Sequence, residues 1–358
     1  MFEVLGAIIL FVVVLSVLVL IHECGHFIVA RLFGVAVEEF GVGFPPRAWS
    51  TMRGKTRYSI NWLPLGGFVK LKGEQGEDAD TSDSFASKPV WQRVCILAAG
   101  VASNLILAVA IFIFSFAIGM PQVIDSSEDA ARARDVSIHI TQVLSGSPAD
   151  QAGLRAGDRI LTLDGAAMGT VEEVQTTIRA HGDSSLTLSI ARGSDVLSIS
   201  ATPKALRENA DRVSLGIGLA RIGTIRYPLH IAIVKGMEMT GTMIVVMVTT
   251  IVDAFRHLAF DGFVGPVGIA ATTATVTKLG VPYLLNLIAQ LSLSLAIFNV
   301  LPIPALDGGR IFFTVLERVR GRSIKASVEN MIHLIGFAVL MSALLLVTFR
   351  DITRLVSP

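Results

Sequence analysis

The sequence predicts a membrane protein, mainly α, with four transmembrane helices, a β-hairpin associated with the membrane and one inserted soluble α+β domain. Three observations carry that expectation. Of the 358 residues, 52% are apolar, more than an ordinary soluble chain needs for its core. Four apolar stretches, roughly Phe2–Phe33, Cys95–Ile118, Tyr283–Leu301 and Met331–Phe349, are long enough to cross a bilayer, which takes about 20 helical residues. Between the second and third stretches, turn residues punctuate short alternating runs as they do in a globular α+β domain. The net charge of +1 provides no basic footprint for nucleic acid. The two cysteines, Cys24 and Cys95, each sit in an apolar run and suggest no disulfide framework.

The first stretch opens without a basic region, carries Glu3 near its start and lacks a small-residue cleavage site. It is expected to stay as an anchor rather than be removed. Its far end holds Ile21-His22-Glu23-Cys24-Gly25-His26. A helix advances about 100° per residue, so His22 and His26 share one face and can share one metal ion. Glu23 beside them can reach a water on that metal without being a ligand, which is the zinc-hydrolase pattern with glutamate as general base. The bland alternative is a helix end whose histidines meet lipid headgroups. Ionisable groups at membrane depth are costly, and that favours the functional reading. Cys24 points away from both histidines and reads as a packing residue.

Next comes a polar region, Gly34–Arg93. Phe40–Pro46 reads as a tight glycine–proline loop. Tyr58–Trp62 and Phe68–Lys72 both alternate apolar and polar residues, and Pro64-Leu65-Gly66-Gly67 lies between them as a turn. The expectation is a β-hairpin near the membrane, followed by an acidic linker, Gly73–Asp83. Either it is a structural brace, or its exposed edge pairs with an extended peptide, with Gly66 and Gly67 binding substrate. The second span carries Gly100, Ser103 and Asn104. Small residues there permit close helix packing, and Asn104 is placed to hydrogen-bond a neighbouring helix.

The soluble segment begins with a strand at Ile138–Val143 and continues through Gly146–Ile160 to an Asp164-Gly165 turn. This implies a short helix, a Gly-Asp turn and a closing strand. Val171–Ala180 reads as a helix, and Leu186–Ala191 with Val196–Ala201 as a hairpin around Arg192-Gly193-Ser194. The run Ser147–Gly165 resembles a PDZ domain of the bacterial protease type, which implies binding of extended peptide ends in a strand–helix groove. His139 and His181, inside it, belong to no motif.

Ile231–Ile251 is apolar too, but Lys235, Glu238 and threonines interrupt it. A crossing here would put the Leu306-Asp307-Gly308 turn on the wrong side from His22. Ile231–Arg256 is therefore expected to be an amphipathic or partly embedded helix at the interface. Basic residues in Gly34–Arg93 and Pro304–Asn330 place both of those loops in the cytoplasm and the soluble domain on the periplasmic side of a bacterial inner membrane. The expected division is 1–33, first span with the His-Glu motif; 34–94, loop with hairpin; 95–120, second span; 121–225, soluble domain; 226–280, interfacial helix; 281–310, third span; 311–330, cytoplasmic loop; and 331–358, fourth span and tail.

A catalytic zinc takes three protein ligands plus water, so a third ligand is needed on another segment. Asp307 is the candidate, in Phe298-Asn299-Val300-Leu301-Pro302-Ile303-Pro304-Ala305-Leu306-Asp307-Gly308-Gly309-Arg310 at the end of the third span. Two prolines break the helix there, and broken helices at membrane depth line cavities or pack inside protein. Asn299, a turn or two earlier, is placed to hold the substrate backbone or an oxyanion.

These two motifs together resemble the site-2 protease family of intramembrane zinc metalloproteases. The Gly66-Gly67 turn, the PDZ-like insert and Gly265–Ala270 are similar to the sigma-E-regulating bacterial branch of that family. One departure is that the branch carries two tandem PDZ domains where this chain has room for one. The resemblance implies Zn2+ held by His22, His26 and Asp307, with Glu23 as base. It also implies single-pass membrane substrates, among them an anti-sigma factor and signal-peptide remnants. The rival readings are a non-proteolytic membrane scaffold recruiting partners through its PDZ-like domain, and a metal transporter.

Overall fold

The computed structural model describes all residues except 1, 75–79, 125–126, 194, 207–208, 258–262, 323, 325 and 357–358. The middle of the expected acidic linker and Ser194 at the expected hairpin tip lie outside the described residues. The chain forms two compact units. One comprises Met1–Ile113, Ile233–Thr277 and Tyr283–Pro358, the other Phe114–Ala232 and Lys278–Pro282.

In the first unit, α1 (Phe2–Leu32) follows the proline-free apolar run. It stops where Gly34 turns to a φ of 71°. There Val35 N–H donates to Ala30 O at 2.8 Å and Gly34 N–H to Arg31 O at 3.1 Å, the two bonds of a Schellman end. Two strands follow, β1 (Val37–Arg53) and β2 (Thr56–Leu71), then α2 (Val90–Ile118). Ala30, Val35, Val37, Leu71, Phe85, Ile96 and Leu97 form one buried cluster that ties the end of α1 to the base of the strands and the start of α2.

The strands correct the expected hairpin. Arg47–Arg53 pair with Thr56–Asn61 around Gly54-Lys55, so the sharp reversal is there. Pro64–Gly67 is a bend inside β2. Tyr58–Ile60 and Phe68–Lys70 are not partners, because Glu39–Val42 lies between them, bonded to Arg57–Ile60 on one side and Gly67–Lys70 on the other. Phe40–Pro46 is accordingly strand rather than loop. Its glycines serve close approach: a Cβ on Gly41 would come within 2.6 Å of the Phe68 ring. Gly43 has a φ of 77° and faces Leu63 O across the sheet. Ser16, the polar break in the first apolar run, donates to Pro64 O at 2.6 Å and accepts from Gly66 N–H, fastening the β2 bend to α1.

The second unit is built from β3 (Met120–Val123), α3 (Ser127–Arg132), β4 (Arg134–Val143), α4 (Pro148–Gln151), β5 (Arg159–Leu163), β6 (Ala166–Ala167), α5 (Val171–Ala180), β7 (Leu186–Arg192), β8 (Asp195–Ala201), β9 (Lys204–Leu206), β10 (Asn209–Ser214) and β11 (Ile217–Ile225). The main sheet runs β3-β11-β4-β5-β7-β8, with β6 on β5. Helices and strands expected between Ile138 and Ala201 are present. Ser147 caps α4, with Pro148 at its first position, and Thr170 with Glu173 forms a reciprocal capping box on α5. Leu186, Leu188 and Ile190 of β7 are fully buried against Val174 and Ile178 of α5. Full burial of each such side chain contributes roughly 1.5–3 kcal/mol. His139 contacts the Ser137 hydroxyl, while His181 donates to Thr177 O and faces Asp164, closing the end of α5.

The chain continues through α6 (Leu229–His257), α7 (Pro266–Leu279), α8 (Val281–Val300), α9 (Asp307–Arg320) and α10 (Ala326–Val356). Among the described residues, five helices are long and apolar enough to cross a membrane, one more than expected, and α6 is the additional one. One face of it packs against α2 and α8. A Cβ on Gly236 would meet Ile113 of α2 at 2.8 Å. Met243, Ile244, Met247 and Ile251 surround Ala108, Leu293 and Ile297. Threonines that break its apolar pattern bond their own helix, as Thr240 does to Gly236 O and Thr250 to Val246 O.

Candidate metal centre

The site begins with the crossing of α1 and α2. Gly25 has no side chain where a Cβ would collide with Ala99 O and stand 2.9 Å from Ser103 Oγ. Ser103 donates in turn to Ile21 O at 3.0 Å. On α2, Gly100 faces the two imidazoles. A Cβ there would overlap His26 Nε2 and come within 2.7 Å of His22 Nε2. The small residues at 25 and 100 therefore serve the centre directly, by letting a helix backbone lie against both rings.

Each imidazole is held by its other nitrogen. His26 Nδ1 donates to Ile96 O at 2.8 Å, which leaves the Nε2 lone pair free for the site. The Asn104 amide meets His22 Nδ1 at 3.4 Å, while its Oδ1 is buried without a hydrogen bond. Exchanging the two ends of that amide lets Oδ1 accept from His22 Nδ1–H, which leaves Nε2 free for the site. The backbone carbonyl of Asn104 accepts from Ser292 on α8 at 2.8 Å, so this residue links all three helices.

Asp307 arrives from the other half of the motif. After α8 ends, Leu301–Leu306 make a compact bend in which Ile303 N–H donates to Leu301 O at 2.7 Å and Leu306 N–H to Ile303 O. Ala305 has a φ of 77°, a conformation that costs a side-chain-bearing residue on the order of 1–3 kcal/mol. Asp307 is the first residue of α9. Gly308 and Gly309 are buried where a Cβ would strike the carbonyls of Leu301 and Ile303, so only glycine lets α9 start this tightly against the end of α8.

The three ligand atoms converge. Asp307 Oδ2 stands 2.8 Å from His22 Nε2 and 3.4 Å from His26 Nε2, and the two Nε2 atoms are 3.1 Å apart. A tetrahedral zinc with bonds of 2.0–2.1 Å has ligand–ligand edges of about 3.3 Å, so this donor set fits the ion. Asp307 Oδ2 is buried without a hydrogen bond, and lone pairs facing one another at these distances repel unless a cation lies among them. These residues form the one group of three or more His, Cys, Asp or Glu ligands among the described residues. Glu23 is half-buried beside them. It interacts with His26, His22 and Asp307 through space.

The strand edge reaches the same place. A Cβ on Gly67 would lie 3.9 Å from Glu23 Cγ, and Gly66 turns at a φ of 82° against Val19 and Phe44. Asn299 is half-buried in the last turn of α8, outside the ligand cluster, and no hydrogen bond of its side chain is found. Cys24 is partly buried and unpaired. The support given by Ile96 O and the close approach of Gly25 to α2 were not readable in advance, because both depend on the angle at which two helices cross.

The model of Peptidase family M50 matches residues 10–343. Zinc metalloprotease RasP of Geobacillus kaustophilus is 30% identical over 438 residues, covering 99% of each chain. Regulator of sigma-W protease RasP of Bacillus subtilis is 27% identical over 435 residues, covering 98% of this chain and 99% of its own. Among solved structures, the PDZ domain of an SdrC-like protein from Listeria innocua is similar to 23% of this chain and 92% of its own, with 22% identity and a TM-score of 0.21. A family match that spans both halves of the His-Glu and Asp-Gly-Gly site makes this chain a member of Peptidase family M50, a multi-pass membrane zinc metalloprotease.

Proposed function

We propose that His22, His26 and Asp307 hold the zinc, that Glu23 is the general base, and that the enzyme cleaves single-pass membrane proteins inside their transmembrane segments. The observation that carries this is the approach of Asp307 to both imidazoles, the nearer of them in sequence, His26, 281 positions earlier in the chain. Bound zinc supplies Lewis acidity to the scissile carbonyl and brings the pKa of a coordinated water towards 7. Glu23 takes a proton from the attacking water and passes it to the leaving amine.

A helical substrate hides its carbonyls in its own hydrogen bonds and must unwind before attack. An unwound segment gains new partners by adding to the edge of Gly67–Lys70, next to Glu23, with Gly66 and Gly67 giving it room. Asn299, with its amide uncommitted, steadies substrate backbone at the end of α8. The name of the Bacillus subtilis relative, a regulator of sigma-W, supports an anti-sigma factor among the substrates, with signal-peptide remnants a second class.

The topology consistent with this has four complete crossings, α1, α2, α8 and α10, in a bacterial inner membrane, with α6 entering beside α2 and α8 without leaving on the far side. Its support is that Asp351, near the end of α10, accepts the backbone N–H of Gly268 at 2.8 Å. The start of α7 is therefore level with the outer end of α10. On this reading the second unit has a PDZ-like fold, faces the periplasm, and keeps untrimmed proteins from the site. The scaffold alternative gains nothing from an intact three-ligand cluster. The deciding experiment measures zinc per purified chain and cleavage of a tagged single-pass peptide, with and without chelator. Zinc-free protein that still cleaves would end the proposal, and cysteine labelling of the two ends of α6 on opposite faces would end the four-crossing topology.

A further inference from the structure

We propose that His333 on α10 is a positioning residue for the metal centre, holding the bend that delivers Asp307; this rests on Asp307 being a zinc ligand. His333 lies 26 residues beyond Asp307, on a helix that contributes nothing to the ligand cluster. Its Nδ1 accepts the backbone N–H of Ala305 at 2.7 Å. Ala305 is the residue with the positive φ, two positions before Asp307. Leu306, the cap of α9, makes no side-chain capping bond, so the start of α9 takes its placement from the backbone just before it.

A second contact comes from the same face of α10, three residues on. A Cβ on Gly336 would stand 2.5 Å from Pro304 Cβ and 2.7 Å from Pro304 O. The helix thus meets two successive residues of the bend, Pro304 by close approach and Ala305 by a hydrogen bond. Acceptance at Nδ1 fixes the ring proton on Nε2, which faces Glu329 Oε1 at 3.8 Å. The ring is packed edge-on against Phe313 of α9 at 5.5 Å, and the Arg310 charge acts on it through space. His333 therefore joins the Asp307 arm to α10 as Asn104 and Ile96 join the histidine arm to α2. A ligand whose support is released pays in affinity even when its own atoms are unchanged.

The test uses the full chain in detergent and reads zinc affinity by competition with a chromophoric chelator. Phenylalanine keeps the ring against Phe313 and removes the acceptor, whereas asparagine removes the ring and keeps an acceptor near Nδ1. His333→Phe is expected to bind zinc about 10- to 100-fold more weakly, and His333→Asn close to the parent. Adding Ala305→Gly, which accepts a positive φ without strain, should restore part of the His333→Phe loss. A role in ring packing alone gives the opposite order, and that order, or parent-like binding by His333→Phe, overturns the proposal. If His333→Phe does not purify as folded protein, His333→Asn decides: parent-like binding supports the hydrogen-bond role and weak binding overturns it. Parent-like binding by Asp307→Ala would instead remove the ligand assignment on which the proposal stands.

Discussion

Asp158 in the second unit and Asp307 in the first are both aspartates withdrawn from water, and they are treated in opposite ways. Asp158 is 1% exposed and closed on every side. Arg192 donates to its two oxygens at 2.7 and 2.8 Å, and Arg155 N–H adds a third bond at 2.8 Å. Charge and lone pairs are both answered from within the chain. Asp307 instead meets two imidazole nitrogens whose own lone pairs point the same way, and its Oδ2 has no donor. The difference separates a carboxylate that builds a fold from one that waits for a cation. Burial alone does not distinguish them; the sign of what surrounds them does.

That contrast can be broken in several places. The largest effect is expected at the open site: Glu23→Gln should keep zinc while cleavage falls on the order of 10²- to 10⁴-fold, and Asp307→Ala should lose both. Zinc analysis of the purified chains beside peptide-cleavage rates checks this, and near-normal cleavage by Glu23→Gln would remove its assignment as base. At the closed site, Arg192→Ala should destabilise the second unit by about 3 kcal/mol, since Asp158 is left charged and buried. Amide hydrogen exchange of the full chain should show lost protection in β5 and β7 with zinc per chain unchanged. If zinc fell as well, the two aspartates would not be independent.

Asn104→Leu sharpens the comparison from the histidine side. It keeps the size of the side chain, removes the acceptor for His22, and should weaken zinc binding about 10- to 100-fold. An unchanged affinity would mean that Asn104 serves helix packing alone. The smallest effect is expected from Ser16→Ala, which frees the β2 bend from α1 at a cost of about 1 kcal/mol. It should show as a modest loss of cleavage with zinc retained, and a loss of zinc would contradict it.

What the sequence made legible was local or carried by chemistry. The face shared by His22 and His26, the need for a third ligand, and the close-packing role of Gly100 followed from residue types and helical spacing. In the second unit β4, β5, β7 and β8 followed from period-two alternation closed by glycine turns, whereas β11, which lies between β3 and β4 in the sheet, did not. The sheet beside α1 did not. Alternation identified Tyr58–Trp62 and Phe68–Lys72 as strands, but nearest-neighbour reasoning paired them with each other, and nothing local announces that an earlier segment lies between them. Gly41 and Gly43 were read as loop formers because glycine in sequence looks the same whether it supplies a turn or room for a neighbour. The candidate crossing by α6 was set aside for a related reason. Thr240, Thr249 and Thr250 counted as polar, yet each spends its hydroxyl on a carbonyl of its own helix.

The central position of Glu39–Val42 in its sheet has a consequence for biosynthesis. This strand leaves the ribosome before either of its neighbours, and the later one, ending at Lys70, follows 28 residues behind Val42. At a synthesis rate of about 5–20 residues per second, the backbone groups that face this later neighbour stay without sheet partners for roughly 1.4–5.6 seconds, beside a newly made apolar helix. Chain growth, rather than the speed of strand pairing, sets when the Glu23 side of the molecule first becomes complete.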